Sequence, residues 1–132
     1  MLEVPSVLFS MAEMAEHADF FSVGSNDLTQ YFFAADRGNA QVKTLYDSCT
    51  PPFLRALQFA VKEAHRAGKP VGLCGELAAD ETILPLLIGI GFDELSMNCT
   101  AIPHKTISGD SSGFCAALTL EFCNAALNCC AL

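Results

Sequence analysis

Apolar residues recur at helical spacing in some segments of this chain and form short continuous runs in others, with polar stretches between them. Segments of the first kind predict helices, and short apolar runs bounded by glycine or proline predict strands. One segment has proline near its start and glycine just past its end, which gives clear helix boundaries. Helices are predicted over 6–18, 28–35, 52–67 and, capped by Asp80, 81–90; strands are predicted over 20–23, 70–74 and 92–97.

The alternation of helices and strands predicts an α/β fold. Consecutive strands that are joined by helices pair in parallel through right-handed crossovers. Such a chain forms either a small doubly wound sheet or part of a (β/α)8 barrel. A complete barrel takes about 250 residues and this chain has 132, so a barrel would be about half complete. Chain length leaves both architectures open.

Small polar residues follow the first predicted strand at once, as expected where a buried strand delivers polar groups to the rim of a sheet. The strand stops at Gly24, and the next three residues read Ser-Asn-Asp. Asp27 supplies a hard oxygen ligand of the kind that Mg²⁺ takes, and Arg37 supplies a planar group suited to phosphate. The residues alone leave an alternative, in which Asn26 and Asp27 cap a helix and Arg37 is a solvated surface charge.

A long motif spans residues 19–37. It reads Asp-Phe-Phe-Ser-Val-Gly-Ser-Asn-Asp-Leu-Thr-Gln-Tyr-Phe-Phe-Ala-Ala-Asp-Arg. This motif resembles the second signature of the phosphoenolpyruvate-utilising enzymes, the family of Enzyme I of the sugar phosphotransferase system, pyruvate phosphate dikinase and phosphoenolpyruvate synthase. The resemblance extends over 1–105, and residues 1–5 stand where the family has Met-Ile-Glu-x-Pro. It implies the C-terminal half of a (β/α)8 barrel, truncated inside the end of its fifth strand.

The resemblance also implies roles for individual residues. Glu3 and Asp27 match the family's two magnesium-binding carboxylates, so the expected cofactor is Mg²⁺. Gly24, Asn26, Asp27 and Arg37 match positions that bind the substrate, phosphoenolpyruvate. Taken by itself, Glu3 would be interpreted as a surface acid at a frayed terminus.

A cysteine follows the second predicted strand, in the sequence Gly-Leu-Cys-Gly-Glu of residues 72–76. An isolated cysteine there would be interpreted as a small buried hydrophobic residue. By resemblance, Cys74 matches the catalytic acid that protonates the enolpyruvate carbon as pyruvate forms.

Within the family, residues 36–39 and 72–78 look more like Enzyme I than like the dikinase or the synthase. The implied reaction transfers phosphate from phosphoenolpyruvate to an enzyme histidine and then to a histidine-containing phosphocarrier protein. A homodimer is expected for the full-length protein. Two alternatives stay open: a dikinase or synthase fragment, and a non-catalytic module that binds phosphoenolpyruvate.

Composition narrows the classes of partner. The net charge of −8 with only seven Lys and Arg residues argues against a nucleic-acid surface. The longest apolar run is interrupted by proline and glycine and is too short for a membrane helix, and no signal peptide is recognised, so a cytoplasmic protein is expected. Seven cysteines without a C-x-x-C pair are expected to be reduced thiols.

The tail, residues 106–132, departs from the family and contains four of the seven cysteines. We interpret it as the product of a frameshift, with a real helix over 116–132 as the alternative. The family's phosphorylated histidine and the arginines of the earlier barrel strands have no counterpart here. The chain by itself is therefore expected not to catalyse phosphoryl transfer.

Overall fold

The computed structural model describes residues 1–42 and 45–98, so the predictions for the tail lie outside the described residues. Helices and strands alternate as expected, and the α/β fold is confirmed. Two short 3-10 helices, Pro5–Phe9 and Glu76–Ala79, accompany the longer elements. The α-helices and strands of the described residues are, in chain order, α1 (Met11–Ala15), β1 (Phe21–Gly24), α2 (Ser25–Phe33), α3 (Pro51–Arg66), β2 (Val71–Cys74), α4 (Leu84–Ile90) and β3 (Glu94–Ser96).

The three strands within residues 1–42 and 45–98 form one parallel sheet in the order β1-β2-β3. Gly24 is paired with Cys74 at the carboxyl end of β1, and Cys74 with Ser96. On the other edge of β1, Leu2 forms a parallel bridge with Val23. Sequence order and spatial order are therefore the same, and the carboxyl ends of all these segments meet at one edge.

The two faces of the sheet differ because side chains alternate along each strand. Phe21 and Val23 of β1 and Val71 and Leu73 of β2 are buried in a cluster with apolar residues of all four α-helices. We call this the covered face. The intervening residues form the second face, which we call the open face; they are Ser22, Gly24, Gly72 and Cys74, with Glu94 and Ser96 on β3.

The longest helix, α3, supplies much of the core. Its buried residues recur at intervals of three and four, which is the spacing of one helix face. They are Phe53, Leu54, Leu57, Ala60, Val61 and Ala64, the apolar set that the sequence predicts. Pro51 and Pro52 occupy its first turn, where missing backbone N–H groups cost least. The chain leaves the helix through Gly68, whose φ is +70°.

Besides α2, which begins at Ser25 and not at residue 28, two predicted helices differ in extent from those in the structure. The segment predicted as one helix, 6–18, is a 3-10 helix followed by the short α1, because Pro5 opens the first turn and Ser10 separates the two. Asp80 does not cap α4, which begins at Leu84. Its carboxylate instead accepts hydrogen bonds from the backbone N–H and the hydroxyl of Thr82.

Candidate active site at the strand ends

Residues 25–27 were predicted to lie between a strand and a helix, but they form the first turn of α2, which follows β1 directly. The N-cap is Gly24, in extended conformation, and no side chain caps the helix. Asn26 and Asp27 are half-buried in this turn. A carboxylate in the first turn of a helix is favoured by the helix dipole, which stabilises Asp27 in this position.

Glu3 lies beside the end of β1. The backbone N–H of Leu2 donates to the Ser22 carbonyl (2.7 Å), and the N–H of Gly24 donates to the Leu2 carbonyl (3.0 Å). A Cβ added to Gly24 would lie 2.9 Å from Cγ and 3.2 Å from Oε1 of Glu3. The missing side chain of Gly24 therefore makes room for the Glu3 side chain, on the open face of the sheet.

Two hydrogen bonds join the ends of β1 and β2. The Ser25 hydroxyl donates to the carbonyl of Cys74 (2.9 Å), and the N–H of Glu76 donates to Oδ1 of Asn26 (3.3 Å). Gly75, between them, has a φ of +117°, and a Cβ there would collide with Oγ of Ser25 and lie 3.1 Å from Oδ1 of Asn26. We call these five residues the strand-end junction.

The junction leaves one part of the Asn26 side chain available. Its amide oxygen accepts from Glu76, so the NH₂ group is left to donate to an anionic ligand. The sequence pattern includes Gly75 and Glu76, but it does not indicate that they orient Asn26.

Cys74 is half-buried on the open face. Its thiol donates to the Val23 carbonyl (3.3 Å), and its sulfur accepts a hydrogen bond from the Ser22 hydroxyl (3.7 Å). Cys74 also lines a cavity of about 340 Å³ together with Asn26 and Glu76. A second cavity, of about 470 Å³, lies between α1 and α3, is lined by three alanines and three charged residues, and contains none of the predicted site residues.

Arg37 is exposed after the end of α2, and its backbone N–H donates to Oε1 of Gln30 (3.4 Å). Neither Arg37, Asp27 nor Glu3 lines the cavity that contains Cys74. The structure thus brings Cys74 and Asn26 to one cavity, and it places Glu3 against Gly24 at the neighbouring strand end.

Tyr46 is a residue that the sequence analysis missed, because it lies in the polar segment before α3. Its hydroxyl donates to the Asn26 carbonyl (3.0 Å). Burial raises the pKa of Tyr46. The positive charge of Arg37 lowers this pKa, whereas the negative charges of Glu76 and Asp27 raise it further. The hydrogen bond of Tyr46 connects the loop after α2 to Asn26, and a contact between residues twenty positions apart has no local sequence signal.

A histidine and an aspartate form a separate contact at the opposite end of β2. Nε2 of His65 lies 2.9 Å from Oδ2 of Asp93, although both side chains remain almost half exposed. The N–H of Val71 donates to the same carboxylate oxygen (2.8 Å). The hydrogen bond from His65, followed by that from Val71, lowers the pKa of Asp93.

Among the described residues no three His, Cys, Asp or Glu side chains are grouped closely enough to hold a metal ion. A metal at this edge would therefore take few protein ligands. No helix in the described part of the chain is both long and apolar enough to span a membrane.

Comparison with known proteins identifies the family. The profile of the family described as "PEP-utilising enzyme, PEP-binding domain" matches residues 1–108. The chain belongs to the PEP-utilising enzymes. The resemblance to this family that the sequence motifs indicate is thereby confirmed.

Curated relatives share this PEP-binding segment. Multiphosphoryl transfer protein 2 of Escherichia coli is 59% identical over 103 residues, which are 78% of this chain and 12% of that protein. Phosphoenolpyruvate-protein phosphotransferase of Bacillus subtilis is 47% identical over 107 residues, 80% of this chain and 19% of that protein. The protein of the same name from Lactococcus lactis subsp. lactis is 47% identical over 102 residues, 77% of this chain and 18% of that protein. The chain thus spans less than a fifth of the length of these relatives.

Proposed function

We propose that this chain is the phosphoenolpyruvate-binding part of a phosphoenolpyruvate-protein phosphotransferase of Enzyme I type. The observation that carries the proposal is the strand-end junction, which places Cys74 and Asn26 at one cavity of a chain in the PEP-utilising family. The names of the relatives from two bacteria support the phosphotransferase class.

We further propose that the chain is the C-terminal half of a (β/α)8 barrel. The parallel strands follow one another in sequence order, and the buried residues of the four α-helices lie in one cluster with the covered face. A doubly wound sheet would place helices on both faces. The open face would then line the barrel interior, and the missing half would complete the site.

Asp27, Asn26 and Arg37 are proposed to bind the anionic substrate. Arg37 offers a planar set of donors for phosphate or carboxylate, and Asn26 offers the NH₂ group left by its bond to Glu76. Glu3 and Asp27 are proposed to hold Mg²⁺, because this ion binds through one or two carboxylates together with substrate phosphates. Bound there, the ion would neutralise charge on the substrate's oxygens.

The reaction divides into two steps. The phosphorus–oxygen bond of phosphoenolpyruvate breaks as the phosphoryl group bonds to a histidine nitrogen elsewhere in the longer protein, and the bonding electrons stay on the enolpyruvate oxygen. Cys74 then gives its proton to the terminal carbon. The electron pair of the C=C bond forms the new C–H bond, the oxygen lone pair completes the carbonyl of pyruvate, and the thiolate recovers a proton from water.

The phosphorylated histidine is proposed to pass its phosphate to a histidine-containing phosphocarrier protein. The longer protein is proposed to be a cytoplasmic homodimer, which is what the resemblance to Enzyme I implies.

The test compares two proteins. One is the 132-residue chain; the other, the extended chain, carries upstream of it the segment that precedes the matching region in the Bacillus subtilis relative. Both proteins are assayed for Mg²⁺-dependent pyruvate release from phosphoenolpyruvate with a carrier protein present. We expect release by the extended chain and none by the 132-residue chain, because catalysis here depends on positioned charges from both halves of the barrel. Equal rates from both proteins would contradict the half-barrel.

Variants of the extended chain connect the activity to this site. Asp27→Asn is expected to lower kcat/KM about a thousandfold, since a bound metal contributes several kcal/mol to transition-state stabilisation. Glu13→Gln is the matched control, because it removes a carboxylate from the exposed side of α1. The same rate from Asp27→Asn and from Glu13→Gln would rule out Asp27 as a metal ligand.

A further inference from the structure

Ser22 is a polar residue within an otherwise apolar strand. It lies on the open face of β1, the strand next to the one that contains Cys74. In the register of the sheet, Ser22 is paired with Gly72 and Gly24 is paired with Cys74. Its hydroxyl therefore reaches diagonally across to Sγ of Cys74, at 3.7 Å. A serine that only filled this position would need no partner on the neighbouring strand.

The two hydrogen bonds at Cys74 favour different states of the sulfur. The thiol donates to the Val23 carbonyl, a bond that exists only while the sulfur carries its proton. The Ser22 hydroxyl donates to the sulfur, and such a bond strengthens when the acceptor becomes an anion. The first contact holds the protonated acid before the reaction, and the second stabilises the charge that appears as the proton leaves.

We propose that Ser22 is a positioning residue for enolpyruvate protonation, holding Cys74 in its working rotamer and stabilising the thiolate that forms on proton transfer. This inference rests on the proposed function and adds a residue to it. Ser22 acts through Cys74, and it needs no contact with the substrate.

An interaction that is stronger in the transition state than in the ground state raises kcat and leaves substrate binding nearly unchanged. A hydrogen bond to a charged group is worth enough to change a rate by about tenfold to a hundredfold. Removal of the Ser22 hydroxyl should therefore lower kcat for pyruvate formation by about this factor, with the KM for phosphoenolpyruvate changed by less than about threefold.

The experiment uses four versions of the extended chain: wild type, Ser22→Ala, Ser22→Thr and Ser22→Val. Threonine and valine have the same shape and differ by a hydroxyl in place of a methyl group, and both suit a strand. This pair separates the hydroxyl from the steric effect of a larger side chain. Pyruvate release is measured in H₂O and in D₂O, and thermal unfolding reports on the fold of each variant.

We expect Ser22→Thr to retain a kcat within a few-fold of wild type, while Ser22→Val and Ser22→Ala lose about tenfold or more. The solvent isotope effect on kcat should rise in the two variants without the hydroxyl, because proton transfer then becomes slower than the other steps. Equal losses from threonine and valine, or a loss confined to KM, would show that Ser22 only packs the strand.

The same data distinguish failure of this inference from failure of the proposed function. A wild-type extended chain that releases pyruvate, together with a fully active Ser22→Ala variant, overturns only the role of Ser22. A wild-type extended chain with no pyruvate release contradicts the proposed function and this inference together.

Discussion

The covered face and the open face of the sheet are built from alternate residues of the same strands, yet their side chains serve different purposes. On the covered face, Val71 and Leu73 are almost fully buried against helices. On the open face, the intervening Gly72 and Cys74 are small and only partly buried. One four-residue strand thus contributes stability through one face and candidate chemistry through the other.

The two faces differ in the size of their side chains, and this difference separates stability from candidate chemistry. Large apolar side chains on the covered face remove area from water, which is the main source of stability. Small residues on the open face leave room for Glu3 beside Gly24 and for the thiol of Cys74. Substitutions at neighbouring residues should therefore have separable effects, on activity for the open face and on folding for the covered face.

The largest expected effect is on catalysis. Cys74→Ala in the extended chain should lower the rate of pyruvate formation by about 10²–10⁴-fold, the contribution usual for a positioned acid. The affinity for phosphoenolpyruvate, measured as a dissociation constant, should change far less, because the thiol acts in the chemical step. Comparable losses in rate and affinity would contradict the role assigned to Cys74.

The next effect separates the two faces directly. Leu73→Ala should lower the free energy of unfolding by about 2–5 kcal/mol, because it leaves a cavity in the core. Gly72→Ala is the matched change on the open face, where a Cβ would come no closer than 3.4 Å to Glu94. Its cost should stay below about 1 kcal/mol, since alanine restricts the unfolded chain. Denaturant unfolding of both variants measures the difference, and similar losses would refute the contrast.

A smaller effect is expected at the strand-end junction. Gly75→Ala should cost about 1–3 kcal/mol for the unfavourable backbone conformation, and more for its collision with Ser25. Gly68→Ala serves as the control, because Gly68 also has a positive φ but nothing lies within 4 Å of a Cβ there. Thermal unfolding should place Gly75→Ala clearly below Gly68→Ala. Equal melting temperatures would mean that the junction yields without cost.

The smallest effect concerns acid stability, away from both the cavity and the junction. Because the pKa of Asp93 is lowered in the folded protein, its contribution to stability is present in full above the unfolded value and is lost as pH falls through the folded value, below about pH 4. Solvent exposure keeps this contribution below about 1 kcal/mol. Asp93→Asn should make the melting temperature depend less on pH in this range, whereas Asp19→Asn, at an exposed position, should not.

Local patterns in the sequence were sufficient for much of this architecture. The spacing of Phe53, Leu57 and Val61 predicts the buried face of α3, and the apolar run before Gly24 predicts β1 within one residue. Motif resemblance correctly indicates the family from residues 19–37. These features depend on neighbours within a few positions, which the sequence displays directly.

Other features depend on residues far apart in the chain. The contacts of Tyr46 with Asn26 and of Ser22 with Cys74 join residues 20 and 52 positions apart. The hydroxyl of Ser25, in the first turn of α2, likewise donates to the Cys74 carbonyl on the neighbouring strand. No spacing rule gives such pairs, so both polar contacts became apparent only from the arrangement of the strands.

The strand-end junction also has a consequence for making chimeras among relatives. Gly75 lies directly against Ser25 and Asn26. A relative with a larger residue at position 75, or at position 25 or 26, would therefore not fit the facing segment of this chain. Segments 24–26 and 74–76 therefore form one unit of exchange, although about fifty residues separate them. A crossover point placed between them would take the two segments from different parents and so break the fit.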